Sequence, residues 1–214
     1  WLPFIPKESP IVLLGNGYLE PELAEIRSRF PDHRLRKGVV NRGARFTEDG
    51  ALEISPKGEV IWGEFSQSAS PWEKALLSRL ESEGFAWVSN VCNARQDKWY
   101  CNTVLNTLCG VYRLKRNGDA SMLNDYGELC HEVYELGSAF WPEWRGQEAR
   151  LKAKLDALIV ATGDNENSMA RDMRLGRATE AAFLSGHVKA FPDASRRFPL
   201  LSDFHSQLTS HSIV

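Results

Sequence analysis

The sequence lacks the features that most readily assign a chain to a class. It contains no C-x-x-C and no G-x-G-x-x-G. No apolar run approaches the roughly 18 residues of a membrane span, and the amino terminus shows no signal-peptide pattern. No basic block stands out, and a formal charge of −2 with a pI near 6.3 argues against a dedicated nucleic-acid binder. Internal repeats and low-complexity tracts are missing too. Cysteine is scarce: Cys92, Cys101, Cys109 and Cys130 read as reduced, buried thiols of a cytoplasmic protein. What remains is 214 residues, 43% hydrophobic and 25% charged, the profile of a soluble globular protein with one large domain or two small ones. The chain opens at Trp1 rather than methionine and runs directly into an apolar strand, which reads as the remainder of a longer protein.

The most informative stretch is Lys98-Trp99-Tyr100-Cys101-Asn102-Thr103-Val104-Leu105-Asn106. Lys98, Asn102 and Asn106 recur every fourth residue inside an apolar run that continues through Leu108, Cys109, Val111 and Tyr112. Successive members turn about 40° around a helix, so the three side chains share one face. Amides and an ammonium in an apolar setting cost free energy unless polar groups meet them. The row therefore calls for a partner, either an internal polar network or a small polar ligand.

Ahead of this helix the pattern is that of an α/β sheet. Pro10 to Leu14 is a continuous apolar run, as in a strand buried on both faces. Gly15-Asn16-Gly17 ends it, and Glu20-Pro21-Glu22 opens a helix to about Phe30. Strand, Gly-x-Gly and helix suggest a dinucleotide fingerprint, but its third glycine position holds Glu20, whose carboxylate would repel a pyrophosphate. Short strands at 35–40, 44–46, 51–54 and 59–62 follow, divided by Glu48-Asp49-Gly50 and Pro56-Lys57-Gly58. They predict an antiparallel meander or a pair of hairpins.

Ser66 to Ser70 reads as a linker, and Ser70-Pro71-Trp72-Glu73 as a capping box. The expected domains are thus 1–66, α/β, and 67–214, all-helical. Helical periodicity covers 71–83, 94–113, 122–140, 147–163, 168–190 and 199–210, with one short strand at 85–88. Gly176 interrupts the fifth of these helices. Within it, Ser168 reads as an N-cap, and Glu180, twelve residues later, as a solvated residue pairing with Arg177.

Taken together, these residues resemble ketopantoate reductase (2-dehydropantoate 2-reductase). That family carries Lys-x-x-x-Asn-x-x-x-Asn on a helix, then a serine at a helix start, then a glutamate in an Arg-x-Thr-Glu-like sequence. Lys98, Asn102, Asn106, Ser168 and Arg177-Ala178-Thr179-Glu180 match in order and spacing. The strand ending in Asn16-Gly17 and the stretch from Gly38 to Ala44-Arg45 are similar as well. Trp99-Tyr100 and Thr107 depart from the pattern, and so does the missing phosphate loop.

The resemblance implies the C-terminal remainder of a Rossmann-type sheet followed by a helical domain like the C-terminal domain of 6-phosphogluconate dehydrogenase. It implies NADPH as cofactor and a small 2-keto acid as substrate, reduced in pantothenate synthesis. Lys98 is then the proton donor. Asn102, Asn106 and Ser168 bind substrate, with Asn117 a weaker candidate whose alternative role is that of a turn residue. Glu180 holds the cofactor ribose or sets the lysine, and Asn16 and Ala44 meet the nicotinamide side. The competing reading is a non-catalytic, truncated reductase-like or interface module that does not bind NADPH on its own.

Other chemistry has less to offer. His131 and Glu135 have a ligand-compatible spacing without a third ligand, and no nucleophile elbow surrounds Ser168. His205 and His211 fall in a polar tail and are expected to be exposed. Trp141-Pro142-Glu143-Trp144 marks either a subunit contact, for which a homodimer is the simplest case, or a loop packed on its own domain.

Overall fold

The computed structural model describes residues 4–6, 10–31, 34–47, 49–54, 58–63, 71–88 and 91–210. Strand β1 (Pro10–Leu14), helix α1 (Glu20–Arg29) and strand β2 (Arg34–Val40) form a crossover unit in which β2 runs parallel to β1, with Leu14 opposite Gly38. The hairpin β3 (Ala44–Phe46) and β4 (Leu52–Ile54) follows, then β5 (Val60–Gly63), α2 (Pro71–Leu80) and β6 (Phe85–Val88). Strand β5 is antiparallel to β2 and parallel to β6, which gives a four-stranded sheet of order β1-β2-β5-β6.

A single meander is therefore not what forms. β3 and β4 pair only with each other, as a separate two-stranded sheet. The reason lies in burial: Leu52 and Ile54 are more than half exposed, so β4 offers no buried face to a sheet, whereas Val60 and Trp62 of β5 are covered. Alternation predicts a strand; the presence of a neighbouring hydrophobic face decides which sheet receives it.

Two compact units result, 1–96 and 97–214. The boundary expected at 66/67 and the linker and capping box beside it lie outside the described residues at 64–70. Residues 71–88 join the first unit because β6 completes its sheet. Inside this unit Glu20, at the start of α1, accepts hydrogen bonds from Lys37 Nζ of β2 at 2.6 and 2.7 Å and from Arg95 at 3.1 Å. The Lys37 side chain is only 4% exposed.

The second unit is helical. Helix α3 (Cys92–Tyr112) is followed by α4 (Tyr126–Phe140), α5 (Glu148–Ala161), α6 (Ser168–Arg174), α7 (Ala194–Arg197) and α8 (Pro199–Ser210). Tight 3₁₀ turns occupy 117–122, 142–144, 180–183 and 185–190. The Trp141–Trp144 segment packs on its own unit. Trp144 is buried, with its ring centroid 6.0 Å from those of Trp99 and Tyr100. Gly137 permits this, because a Cβ there would lie 2.2 Å from the Trp144 ring. Cys101, Cys109 and Cys130 are buried and Cys92 partly so.

His205 corrects the sequence reading. It is 3% exposed, on the face of α8 that also buries Leu201, Phe204 and Leu208, and its Nδ1 lies 3.0 Å from Ser185 Oγ. The short stretch 199–210 is polar in composition but amphipathic in period, and period decides burial. His211 lies outside the described residues. At the start of α8 the buried Glu132 of α4 accepts from the backbone N–H groups of Leu200 and Leu201, at 3.1 and 2.7 Å. Burial raises its pKa and these two donors partly offset the rise.

Candidate active site

Helix α3 positions the lysine–asparagine row. Its apolar faces are buried by Trp99, Tyr100, Val104 and Leu108, so the helix cannot rotate without exposing them. Lys98 and Asn102 are half-buried, and Asn106 is 5% exposed. Asn106 Nδ2 donates to Glu180 Oε1 at 2.8 Å, while its Oδ1 accepts from Asn167 Nδ2, also at 2.8 Å. Asn167 Oδ1 in turn accepts from the backbone N–H of Met169 at 2.9 Å. Burial lowers the pKa of Lys98, and the charge of Glu180 opposes that fall. Of the expected site residues, Asn106 and Glu180 are thus joined in one polar network, with Asn167 as its third side chain.

The chain around Glu180 is not the continuous helix that periodicity suggests. Helix α6 stops after Arg174, and Gly176 takes a left-handed φ of 64°. Gly176 N–H bonds to Met173 O at 3.3 Å and Arg177 N–H to Asp172 O at 2.9 Å, the paired bonds of a Schellman stop. Glu180 consequently begins a new 3₁₀ turn after extended Thr179 and faces Asn106 instead of a solvated partner on its own helix. Ser168 is likewise displaced from its expected role: the N-cap of α6 is Asn167, and Ser168 is its first residue, exposed. Asn167 is the residue that sequence reasoning missed. The signal was present, since asparagine caps at least as well as serine, but two cap-forming residues in tandem leave the register open.

Asn117 does not join this cluster. Its Nδ2 donates to Thr162 Oγ1 at 3.0 Å and its backbone N–H bonds to Asn165 O at 2.9 Å, which ties the turn after α3 to the loop after α5. Asn16 and Ala44 belong to the first unit, Asn16 in the exposed turn that ends β1 and Ala44 exposed at the start of β3, opposite Ile54. His131 Nδ1 lies 2.9 Å from Glu148 Oε1, a hydrogen bond that raises its pKa. Among the described residues no cluster of three His, Cys, Asp or Glu side chains could hold a metal ion, and no helix is long and apolar enough to cross a membrane.

The fold is a small Rossmann-type α/β unit followed by a helical domain with a polar row along its first long helix. Residues 90–193 match the family model of the ketopantoate reductase PanE/ApbA C-terminal region. The chain is 27% identical over 219 residues to 2-dehydropantoate 2-reductase of Yersinia pestis, covering 94% of this chain and 67% of that protein. A PanE/ApbA family ketopantoate reductase from Ralstonia eutropha superposes with a TM-score of 0.76 at 16% identity, over 98% of this chain and 69% of that one. D-mandelate dehydrogenase, solved with NADH and anilino(oxo)acetate, gives 0.71 at 16% identity over 98% and 70%. At such identities the structural likeness speaks for the fold.

Proposed function

We propose that this chain carries the proton-donating and substrate-orienting part of an NADPH-dependent reductase. The reaction takes 2-dehydropantoate, or a related 2-keto acid, to the 2-hydroxy acid in pantothenate synthesis. The observation that carries this reading is the balance around Lys98: burial makes its ammonium more acidic, while the charge of Glu180, held by Asn106, opposes that shift. Such a lysine is a proton donor near neutral pH and stabilises negative charge on a nearby oxygen.

NADPH fits this chain in part. Glu20 stands where a pyrophosphate loop would have its third glycine and is already engaged by Lys37 and Arg95, so this turn takes no phosphate. Asn16 and Ala44 would hold the nicotinamide side, by side chain and backbone. When bound, the cofactor supplies the hydride that reduces the carbonyl carbon. Lys98 then gives its Nζ proton to the carbonyl oxygen, leaving a neutral amine that solvent reprotonates. Asn102 and the exposed Ser168 hold the substrate carboxylate and hydroxyl in line, a positioning task that amide and hydroxyl donors perform without adding charge.

NADPH oxidation by the 214-residue chain with 2-dehydropantoate tests the reading, with a panel of 2-keto acids compared by kcat/KM. Turnover above that of a Lys98→Ala variant is expected. The second reading, a non-catalytic module, draws on the missing G-x-G-x-x-G. Unchanged NADPH fluorescence on mixing, together with no turnover, selects it.

A further inference from the structure

The hydrogen-bond chain through Asn106 has a definite direction. At one end stands the Met169 N–H, which can only donate; at the other stands the Glu180 carboxylate, which, ionised, can only accept. Between them the two amides have one consistent orientation: Asn167 Oδ1 toward Met169, Asn167 Nδ2 toward Asn106 Oδ1, and Asn106 Nδ2 toward Glu180. Both asparagines are less than a tenth exposed, so water cannot easily replace a lost member. Turning either amide over would set oxygen against oxygen at one junction and N–H against N–H at the other. The orientation of Asn106 is therefore fixed by a residue that lies outside the lysine–asparagine row.

We propose that Asn167 is a positioning residue that sets the facing of the Asn106 amide and thereby holds the Glu180 carboxylate against helix α3. Asn106 then serves the site through Glu180, and its amide is not spent on substrate. The cap on α6 is a by-product of the same side chain, since the oxygen bonds Met169 and only the nitrogen reaches Asn106. The proposal rests on the reductase reading for the role of Lys98, whereas the hydrogen-bond chain stands without it.

The two functions of Asn167 can be separated. Asn167→Ser keeps an acceptor for the cap and removes the nitrogen that reaches Asn106; Asn167→Thr does the same with different packing. The experiment follows Lys98 by NMR of lysine-labelled protein through a pH titration, in the wild type, in N167S, in E180Q and in the double variant. Thermal unfolding is read alongside. N167S is expected to lower the Lys98 midpoint by about half a pH unit or more, in the same direction as E180Q, with Tm lowered by no more than about 10 °C, so that the protein stays folded through the titration. Adding N167S to E180Q is expected to lower it no further, because both act through one carboxylate. An unchanged midpoint in N167S and N167T, or a shift that adds in full to that of E180Q, overturns the proposal. A wild type without turnover would sink the reductase reading alone, and the titration would still decide the role of Asn167.

Discussion

Each of the two units holds a lysine at least partly out of water, buried in the case of Lys37 and half-buried in that of Lys98. In the first, Lys37 is locked to Glu20 by two short contacts, with Arg95 as a third member, so the charges satisfy one another. In the second, Glu180 acts on Lys98 through its charge while its own hydrogen bond comes from a neutral amide. Burial lowers the pKa of both lysines, and the carboxylate acting on each opposes that fall. Their geometry differs: Lys37 Nζ bonds both oxygens of Glu20, whereas the Glu180 carboxylate that acts on Lys98 accepts a hydrogen bond from the Asn106 amide. Under the proposed function, that difference separates a cation that helps hold the fold from one that donates a proton.

Lys98→Ala gives the sharpest test of it. Turnover should fall at least about a hundredfold, equivalent to about 2.7 kcal/mol, with thermal stability unchanged or slightly improved, since a partly desolvated charge is removed. Lys37→Ala should do the reverse. It leaves Glu20 with Arg95 alone, and denaturant titration should show a loss on the order of 3 kcal/mol. An intact Tm in this variant would erase the difference between the two lysines.

The pH dependence of rate follows from Lys98. Its pKa is lowered by burial, so the ammonium needed for proton donation disappears as pH rises through that lowered value, and kcat/KM should fall there. Glu180→Gln should move the fall to lower pH. Stability responds to a different group. Burial, helped by the charges of Lys189 and His187, lowers His205 from 6.5 to about 4. The unfolded chain therefore binds the extra proton between those values, and stability contributed by neutral His205 is lost as pH falls from 6.5 toward 4. The loss is on the order of 3 kcal/mol, and His205→Gln should flatten that part of the unfolding profile.

The smallest effect concerns Arg113, whose φ of 51° places a residue with a Cβ in the left-handed region at the end of α3. Its N–H bonds to Gly110 O and Leu114 N–H to Cys109 O, the same helix stop that Gly176 makes without strain. Arg113→Gly should raise stability by about 1 kcal/mol without touching either lysine. Lost stability there would show that the arginine side chain makes a compensating contact.

Most elements were legible in the sequence because their periodicity is local. The helices at 199–210 and 147–163, the strands at 10–14 and 85–88, and the shared face of Lys98, Asn102 and Asn106 follow from spacing alone. Of the two arrangements that the turn sequences allow, the β3–β4 hairpin forms and the single meander does not, because the partner of a strand depends on faces far away in sequence, and the exposed Leu52 and Ile54 show that β4 has none in the main sheet. Asn167 was missed for a related reason. Whether it or Ser168 caps α6 depends on which register buries Met169, Ala170 and Met173.

The sequence by itself determined that a lysine and two asparagines would line one face of a buried helix, since 3.6 residues per turn allows nothing else. Only the tertiary structure decided what they face. A Schellman stop at Gly176 turns Glu180 onto Asn106, and the buried cap of α6 orients the amide between them. Those contacts join residues 61 and 74 positions apart. They form because a desolvated polar group must find a partner wherever packing brings one, not where the sequence places it.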